Sequence, residues 1–237
     1  GLGDVYKRQL ILCNPSNPCG KVFTYDELKI IADLAIKYDA YVITDEVYEH
    51  IVYAPNKHIY MASLPGMRER TIVCNSLSKT YSITGWRLGY VIANPQVIDR
   101  VKKVHDFLTV GAAAPLMEAA VTGLKFGDDY YEGLAAHYTH MKELFCGGLK
   151  NLGFTFTEPQ GAYYVLMDVS EFGVKDDVKF CEWMTEHVGV AAVPGSSFFR
   201  EDVHNLIRFH FAKKDETLNA ALDNLATLRA KADGFKE

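Results

Sequence analysis

Short apolar runs that end abruptly in polar loops constrain the fold of this chain more than any other feature. The runs are LILC (10–13), YVITDEVYEH (41–50) and RTIVCNSLSK (70–79), followed by a fourth strand in RLGYVIAN (87–94). A helical stripe separates the first two runs, and Thr24 and Glu27 have the spacing of a capping box at its start. Strands that alternate with helices predict crossover connections and a largely parallel sheet of the α/β class.

After the fourth strand the pattern changes to helices and then to a smaller mixed region. Helices are predicted from Pro95 to about Leu108, from Pro115 to about Lys125 and from Asp128 to about Leu149. The remainder predicts two short strands in 154–170, a helix near 176–188, a strand in 206–212 and a closing helix from about Asp215 to Ala232. We therefore predict a partial large domain over 10–132 and a smaller α+β C-terminal domain over 133–237.

The opening segment GLGDVYKRQ, residues 1–9, is set apart from this fold. It has no starting methionine, and its GLG lacks both the third glycine and the preceding strand of a nucleotide-binding loop. It is similar to the adapter-like tails of partial metagenomic reading frames, so we expect residues 1–9 to be a non-native tail.

Composition excludes several classes of protein. The 237 residues carry a net charge of −5, which argues against a nucleic-acid partner. No apolar run reaches the roughly 18 residues that a membrane span needs. The five cysteines include no CxxC pair, which is typical of reduced thiols in a cytoplasmic protein, and no metal site is expected.

The stretch SLSKTYSITGWRLGY (76–90) places Lys79 just after a buried strand. Such a lysine can be a reactive amine, a phosphate ligand or a side chain that reaches solvent. In a dry pocket or beside another cation its pKa falls, and the neutral amine can form a Schiff base with an aldehyde cofactor. Pyridoxal phosphate, the common one, requires a lysine, a phosphate cup and an acid that faces the ring nitrogen.

The chain offers these parts at successive strand ends, where parallel α/β sheets bind ligands. Ser76, Ser78 and Arg87 suit a phosphate group. Asp45 ends an apolar run, and a carboxylate about 4 Å from a pyridinium stabilises it by roughly 4 kcal/mol at an effective dielectric of about 20. Each residue alone has an ordinary structural explanation, and only the combination, in this order, indicates a pyridoxal phosphate site.

Three segments, NPSNPCG (14–20), ITDEVYEHIVY (43–53) and SLSKTYSITGWRLGY (76–90), resemble the signature loops of class I/II aminotransferases. These are pyridoxal phosphate enzymes of fold type I, and the likeness runs from about Leu10 to the end of the chain. The resemblance implies a catalytic Schiff base at Lys79, ring-nitrogen pairing by Asp45, ring-oxygen contacts from Tyr48 and Asn17, phosphate binding by Ser76, Ser78 and Arg87, and binding of the substrate α-carboxylate by Arg208 with Asn17.

The implied activity is a ping-pong transfer of an amino group from an L-amino acid to a 2-oxo acid. The resemblance is nearest to the branch with aromatic, methionine, glutamine or kynurenine donors, and it implies a homodimer for the full-length protein, which we expect to be cytoplasmic from its cysteines. Two features depart from the family pattern. Cys19 stands where a threonine is usual, and roughly 150 family residues before Leu10 are missing, so we expect the chain to be part of an enzyme.

Other functions use the same residues. A pyridoxal phosphate-dependent C–S lyase or a cyclopropane-forming synthase would need the same Lys79, Asp45 and Arg208. The effector-binding domain of a pyridoxal phosphate-sensing transcription regulator shares the fold without the catalysis.

Overall fold

The computed structural model describes residues 8–235 and divides them into two compact units. The first unit contains residues 8–16 and 21–135, and the second contains Asn17–Gly20 and residues 136–235. The division falls within the long helix α5 (Asp128–Asn151). Within the described residues, no helix combines the length and the apolar character that crossing a bilayer requires.

The first unit is built on a four-stranded sheet with flanking helices. Its elements are β1 (Gln9–Cys13), α1 (Tyr25–Lys37), β2 (Tyr41–Asp45), β3 (Thr71–Ser76), α2 (Leu77–Thr80), β4 (Gly89–Ile92), α3 (Pro95–Leu108), α4 (Ala114–Leu124) and the start of α5. The strand order is β1-β2-β3-β4, with β1, β2 and β3 parallel. The mainly parallel α/β sheet predicted from the sequence is confirmed.

The last strand of this sheet runs the other way. β4 pairs with β3 in antiparallel register, with Ser76 opposite Gly89. The segment 77–88 between them contains a helix of only four residues, α2, and a 3-10 turn. A parallel return is usually made through a full crossover helix, whereas the twelve residues of this connection form only a four-residue helix and a 3-10 turn, and the chain returns antiparallel.

Helix α1 begins as its sequence predicts and packs one face on the sheet. Glu27 N donates to Thr24 Oγ1 at 3.3 Å while Thr24 N donates to Glu27 Oε2 at 2.8 Å, which completes the capping box. Residues at one helical spacing, Leu28, Ala32 and Ala35, are buried together with Val42. Burying a leucine side chain of this kind contributes about 2 kcal/mol, so packing and capping both hold α1 in place.

The second unit is a smaller α+β assembly. Its remaining elements are β5 (Tyr164–Asp168), α6 (Asp177–His187), β6 (Val193–Pro194), β7 (Leu206–His210), α7 (Asp215–Leu225) and α8 (Leu228–Ala232). The three strands form an antiparallel sheet in the order β5-β7-β6. Phe145 of α5 packs its ring against Phe209 of β7, with centroids 5.7 Å apart.

Two expectations for this region were wrong in detail. The segment 154–170 contains one strand, not two, because the stretch between Gly153, at φ +76°, and Pro159 is short and forms only a bridge from Phe156 to Met167. The single closing helix is divided into α7 and α8. Thr227 Oγ1 donates to Asn224 O at 2.7 Å at the break, a side-chain bond that competes with the helical pattern.

The structure describes only part of the segment 1–9 that was predicted to be a non-native tail. Residues 1–7 lie outside the described residues. Gln9 is the first residue of β1, and Arg8 O accepts a hydrogen bond from Tyr41 N at 2.8 Å. The first strand therefore starts one residue before the predicted run at Leu10.

Candidate active site

The carboxyl ends of β2 and β3 bring together the residues predicted to hold the cofactor ring and phosphate. Asp45 is the last residue of β2 and pairs in register with Cys74 of β3. Ser76 is the last residue of β3, and α2, which contains Lys79, follows at once. Because β2 and β3 are parallel, their polar ends lie at the same edge of the sheet.

The Ser-x-Ser-Lys turn is held by its own hydroxyls. Ser76 Oγ accepts a hydrogen bond from Ser78 N at 3.1 Å and lies 2.6 Å from Ser78 Oγ. Ser76 Oγ also lies 3.0 Å from Leu88 O, which links the turn to the start of β4. Ser78 is buried and Lys79 is half-buried, so the turn fixes two hydroxyls and an amine within one short segment.

Arg87 has a backbone conformation that few arginines adopt. Its φ is +55°, in the left-handed region, which costs roughly 1–2 kcal/mol for a residue other than glycine. Its Nη1 donates to Thr84 O at 2.9 Å, and the side chain is otherwise exposed. Strain of this kind persists where the surrounding structure requires it and is common at ligand sites.

These residues fit pyridoxal phosphate. Two hydroxyls and a guanidinium, from Ser76, Ser78 and Arg87, are the donors that a phosphate group binds. Asp45 presents a carboxylate at the same sheet edge, where its Oδ1 accepts from Val47 N at 3.3 Å. Tyr48, in the turn that follows, is buried. The donor set is thus a carboxylate for the ring, an amine for the aldehyde and cationic or hydroxyl groups for the phosphate.

Arg208 of β7, in the second unit, is held by two aromatic rings. Its guanidinium carbon lies 4.4 Å from the ring centroid of Tyr164 and 4.5 Å from that of Phe198. Its Nη1 donates to Asn17 Oδ1 at 2.7 Å. Its Nε is buried and has no hydrogen-bond partner within residues 8–235. A buried donor left unpaired costs about 1–3 kcal/mol, and a ligand carboxylate would satisfy it.

The loop that carries Asn17 is fixed to the second unit through Gly20. Gly20 O accepts hydrogen bonds from Gln160 N and Gly161 N, each at 2.9 Å. Gly20 has φ +67°, and a Cβ there would lie 2.9 Å from Gly161 O, so the position requires glycine. Cys19, where the family pattern has threonine, is half-buried beside it.

The sequence reasoning missed the residues that surround these groups. Tyr164 and Phe198 were not recognised as the rings that hold Arg208, because no local sequence pattern pairs residues 44 and 10 positions away with its guanidinium. Glu46 and Glu49 were also missed. Glu46 Oε2 lies 3.1 Å from His58 Nε2, and Glu49 Oε1 accepts from Asn75 Nδ2 at 2.7 Å. The only local signal was two acids in DEVYEH, a pattern equally typical of a solvated turn.

Comparison with known proteins extends this assignment. The model of the aminotransferase class I and II family matches residues 3–225. Kynurenine–oxoglutarate transaminase 3 of Rattus norvegicus is 37% identical over 244 residues, which cover 94% of this chain and 54% of that protein. Methionine aminotransferase of Escherichia coli K12 is 34% identical over 222 residues, covering 93% of this chain and 58% of that protein.

The structural comparison agrees. N-succinyldiaminopimelate aminotransferase from Mycobacterium tuberculosis superimposes with a TM-score of 0.90 at 34% identity, covering 94% of this chain and 59% of that chain. The fold is therefore the α/β fold of the fold type I transferases. The chain belongs to the class I and II aminotransferase family, which confirms the resemblance read from its three loops. It spans between half and three fifths of the length of these relatives.

Proposed function

We propose that this chain supplies the cofactor-binding and carboxylate-binding residues of a pyridoxal phosphate-dependent aminotransferase, which transfers an amino group from an L-amino acid to a 2-oxo acid. The observation that carries the proposal is the placement of Asp45 and of the Ser76–Lys79 segment at one edge of two adjacent parallel strands. Family membership supports the same reading.

Each residue then has a chemical role. When bound, pyridoxal phosphate supplies an electron sink for the charge left on Cα after proton removal. Ser76, Ser78 and Arg87 bind the phosphate, and Asp45 favours the protonated ring nitrogen. The amine of Lys79 would hold the cofactor aldehyde, and the same amine would act as the general base toward the proton on the substrate Cα.

The second unit recognises what amino acids and 2-oxo acids share. Arg208 binds the substrate carboxylate through its free Nε–H and its second terminal nitrogen, while Asn17 Oδ1 holds the other terminal nitrogen. One arginine that binds a carboxylate serves both half-reactions, because the amino donor and the 2-oxo acid acceptor both carry a carboxylate. We propose a donor of the aromatic, methionine, glutamine or kynurenine type, in a cytoplasmic homodimer, since relatives named for kynurenine and methionine are similar over more than 90% of the chain.

The test compares Lys79→Ala with Lys57→Ala, which removes an exposed lysine of the same unit. In the full-length protein that contains this chain, supplied with pyridoxal phosphate, an amino donor and 2-oxoglutarate, the unchanged sequence and Lys57→Ala should form the new amino acid and the new oxo acid. Lys79→Ala should lose at least about 100-fold in turnover, the usual minimum for a general base. Full activity in Lys79→Ala would contradict the assignment, and pyruvate and ammonia formed without an acceptor would indicate a lyase instead.

A further inference from the structure

Glu49 is a largely shielded carboxylate to which the proposed mechanism gives no role. It follows Tyr48 in the turn after β2, and its side chain is only 10% exposed. Its Oε1 accepts from Asn75 Nδ2 at 2.7 Å and lies 3.5 Å from His50 Nε2. Burial, then the charge of Glu49 and a hydrogen bond to it, raise the pKa of the Tyr60 hydroxyl. The Glu49 carboxylate thus lies close to several donor side chains of the first unit.

A fourth donor comes from the edge strand. Burial, followed by the charges of Glu49 and Glu46 and a hydrogen bond to Glu49, raises the pKa of Tyr90 to about 12. Tyr90 lies on β4 directly opposite Asn75 of β3. Glu49 therefore connects the turn after β2 to both β3 and β4.

Asn75 links Glu49 to Ser76, one of the residues proposed to bind the phosphate. Its Oδ1 accepts a hydrogen bond from Ser76 N at 2.7 Å, and the residue is 9% exposed. A carboxylate only accepts hydrogen bonds, so Glu49 forces the amide nitrogen of Asn75 to face it. The amide oxygen must then face Ser76 N. The orientation of Asn75, and with it the backbone at Ser76, depends on the charge of Glu49.

A metal site is the competing explanation for these acids. Ligand atoms of Glu46, Glu49 and His58 all lie within 4.8 Å of one another. Each carboxylate is already matched by a nitrogen donor, since Glu46 Oε2 faces His58 Nε2 at 3.1 Å and Glu49 faces Asn75 Nδ2. Both carboxylates are therefore paired within the described residues, although His58 Nδ1 is buried there without a partner, and hydrogen bonding accounts for the two acids without an ion.

We infer that Glu49 is a positioning residue for the pyridoxal phosphate cradle. It ties the turn that presents Asp45 and Tyr48 to the segment that presents Ser76 and Lys79, through its bond to Asn75. The inference rests on the proposed function and adds to it a residue that touches neither cofactor nor substrate. Glu49 holds the ring-binding and phosphate-binding groups in one fixed geometry, and displacements near 1 Å in such groups cost up to about 100-fold in rate.

The experiment compares Glu49→Gln with Glu46→Gln, the same change in a neighbouring buried acid that makes no side-chain bond to β3. Hydrogen exchange of the Ser76 and Ser78 amides is measured in the cofactor-free chain, and pyridoxal phosphate affinity is measured by absorbance titration. Glu49→Gln should speed exchange at Ser76 and weaken cofactor binding about tenfold, as expected for loss of a charge-assisted bond. Glu46→Gln should lower the thermal midpoint without either change.

A double-mutant cycle tests whether the effect passes through Asn75. Asn75→Ala should reproduce the changes of Glu49→Gln, and the double variant should be no worse than Asn75→Ala alone. Unchanged exchange and affinity in Glu49→Gln, or the same two changes in Glu46→Gln, would overturn the inference. If the unchanged chain binds no pyridoxal phosphate, the proposed function fails, while the exchange data on the cofactor-free chain still decide the role of Glu49.

Discussion

The groups around Arg208 fix the orientation of its guanidinium. Tyr164 and Phe198 lie on its guanidinium, Asn17 occupies one nitrogen, and Nε remains buried without a partner in the described chain. The planar group is immobilised before any ligand binds, so little conformational entropy is lost when a carboxylate arrives. A lysine at this position would keep the charge and lose both the planar donors and the ring stacking.

Arg208→Lys should therefore weaken binding of the amino donor. Loss of a charge-assisted bond costs about 2 kcal/mol, which corresponds to a rise of roughly thirtyfold in KM for the donor. Arg200→Lys, at an exposed position of the same unit, is the matched control and should leave KM unchanged. The affinity for pyridoxal phosphate, whose proposed ligands are mainly in the first unit, should not change in either variant. An unaltered KM in Arg208→Lys would remove Arg208 from substrate binding.

At the scale of helices and strands, the sequence predicts the features that depend on residues close together in the chain. The cap of α1 depends on Thr24 and Glu27, three residues apart, and the predicted helix from Pro95 to Leu108 has the observed bounds. The orientation of β4 is not local, because it depends on how far the connection 77–88 can reach. The first strand predicted in 154–170 is likewise not a local feature, because its reduction to a bridge depends on how far Phe156 and its neighbours pair with Met167 of β5.

The same distinction applies to the candidate site. Ser76, Ser78 and Lys79 adjoin one another, so a single run of sequence predicts their grouping. Glu49 and Asn75 are 26 positions apart, and Arg208 and Asn17 are 191 apart. Only the resemblance to a family connects Arg208 with Asn17 before the structure is known, and nothing local identifies Glu49. Polar pairs between residues far apart in the chain cannot be predicted from local patterns in a single sequence.

One such pair, Asp177 and His204, makes the stability of the second unit depend on pH. Asp177, at the start of α6, is fully buried, accepts from Ser196 N at 2.7 Å and lies 3.0 Å from His204 Nδ1. Burial alone would raise the pKa of Asp177, but the bonds from Ser196 and His204 outweigh it and lower the pKa. Hydrogen bonds to Asp177 and then Asp202 raise the pKa of His204.

The direction of the pH effect follows from these shifts. The contribution of His204 is fully present below its ordinary pKa near 6.5 and is lost as pH rises through the raised folded value. That of Asp177 is present above its ordinary pKa near 3.8 and is lost as pH falls through the lowered folded value. The pair therefore stabilises most between these two ordinary values.

His204→Gln should remove the alkaline part of this dependence. Urea unfolding at about pH 5.5 should show the variant less stable than the unchanged chain, and the difference should shrink toward zero at about pH 9. His137→Gln, which replaces an exposed histidine of α5, should show no such convergence. A difference for His204→Gln that stays constant across this range would show that His204 contributes through packing and not through its charge.

At the scale of the whole chain, the cationic groups proposed to bind ligands contrast with the net negative charge. The net charge is −5, yet both proposed ligands carry negative groups, a phosphate and a carboxylate. Cationic side chains, Arg87 in the first unit and Arg208 in the second, stand at the positions proposed to receive them. An acidic surface with a local cationic site keeps the protein soluble and still attracts small anions. Each unit thus carries its own cationic group, proposed to bind the cofactor phosphate in the first unit and the substrate carboxylate in the second.

This separation predicts which part of the molecule each ligand stabilises. Pyridoxal phosphate at about 100 times its dissociation constant should raise the free energy of unfolding by about 2.7 kcal/mol, since it binds the folded chain only. Hydrogen exchange should slow at residues 45–48 and 76–79 and remain unchanged along β7. Pyridoxal without its phosphate is the matched ligand and should stabilise far less, because Ser76, Ser78 and Arg87 then bind nothing. Equal stabilisation by the two ligands would mean that these three residues are not the phosphate cup, whereas slowed exchange along β7 alone would place the cofactor in the second unit.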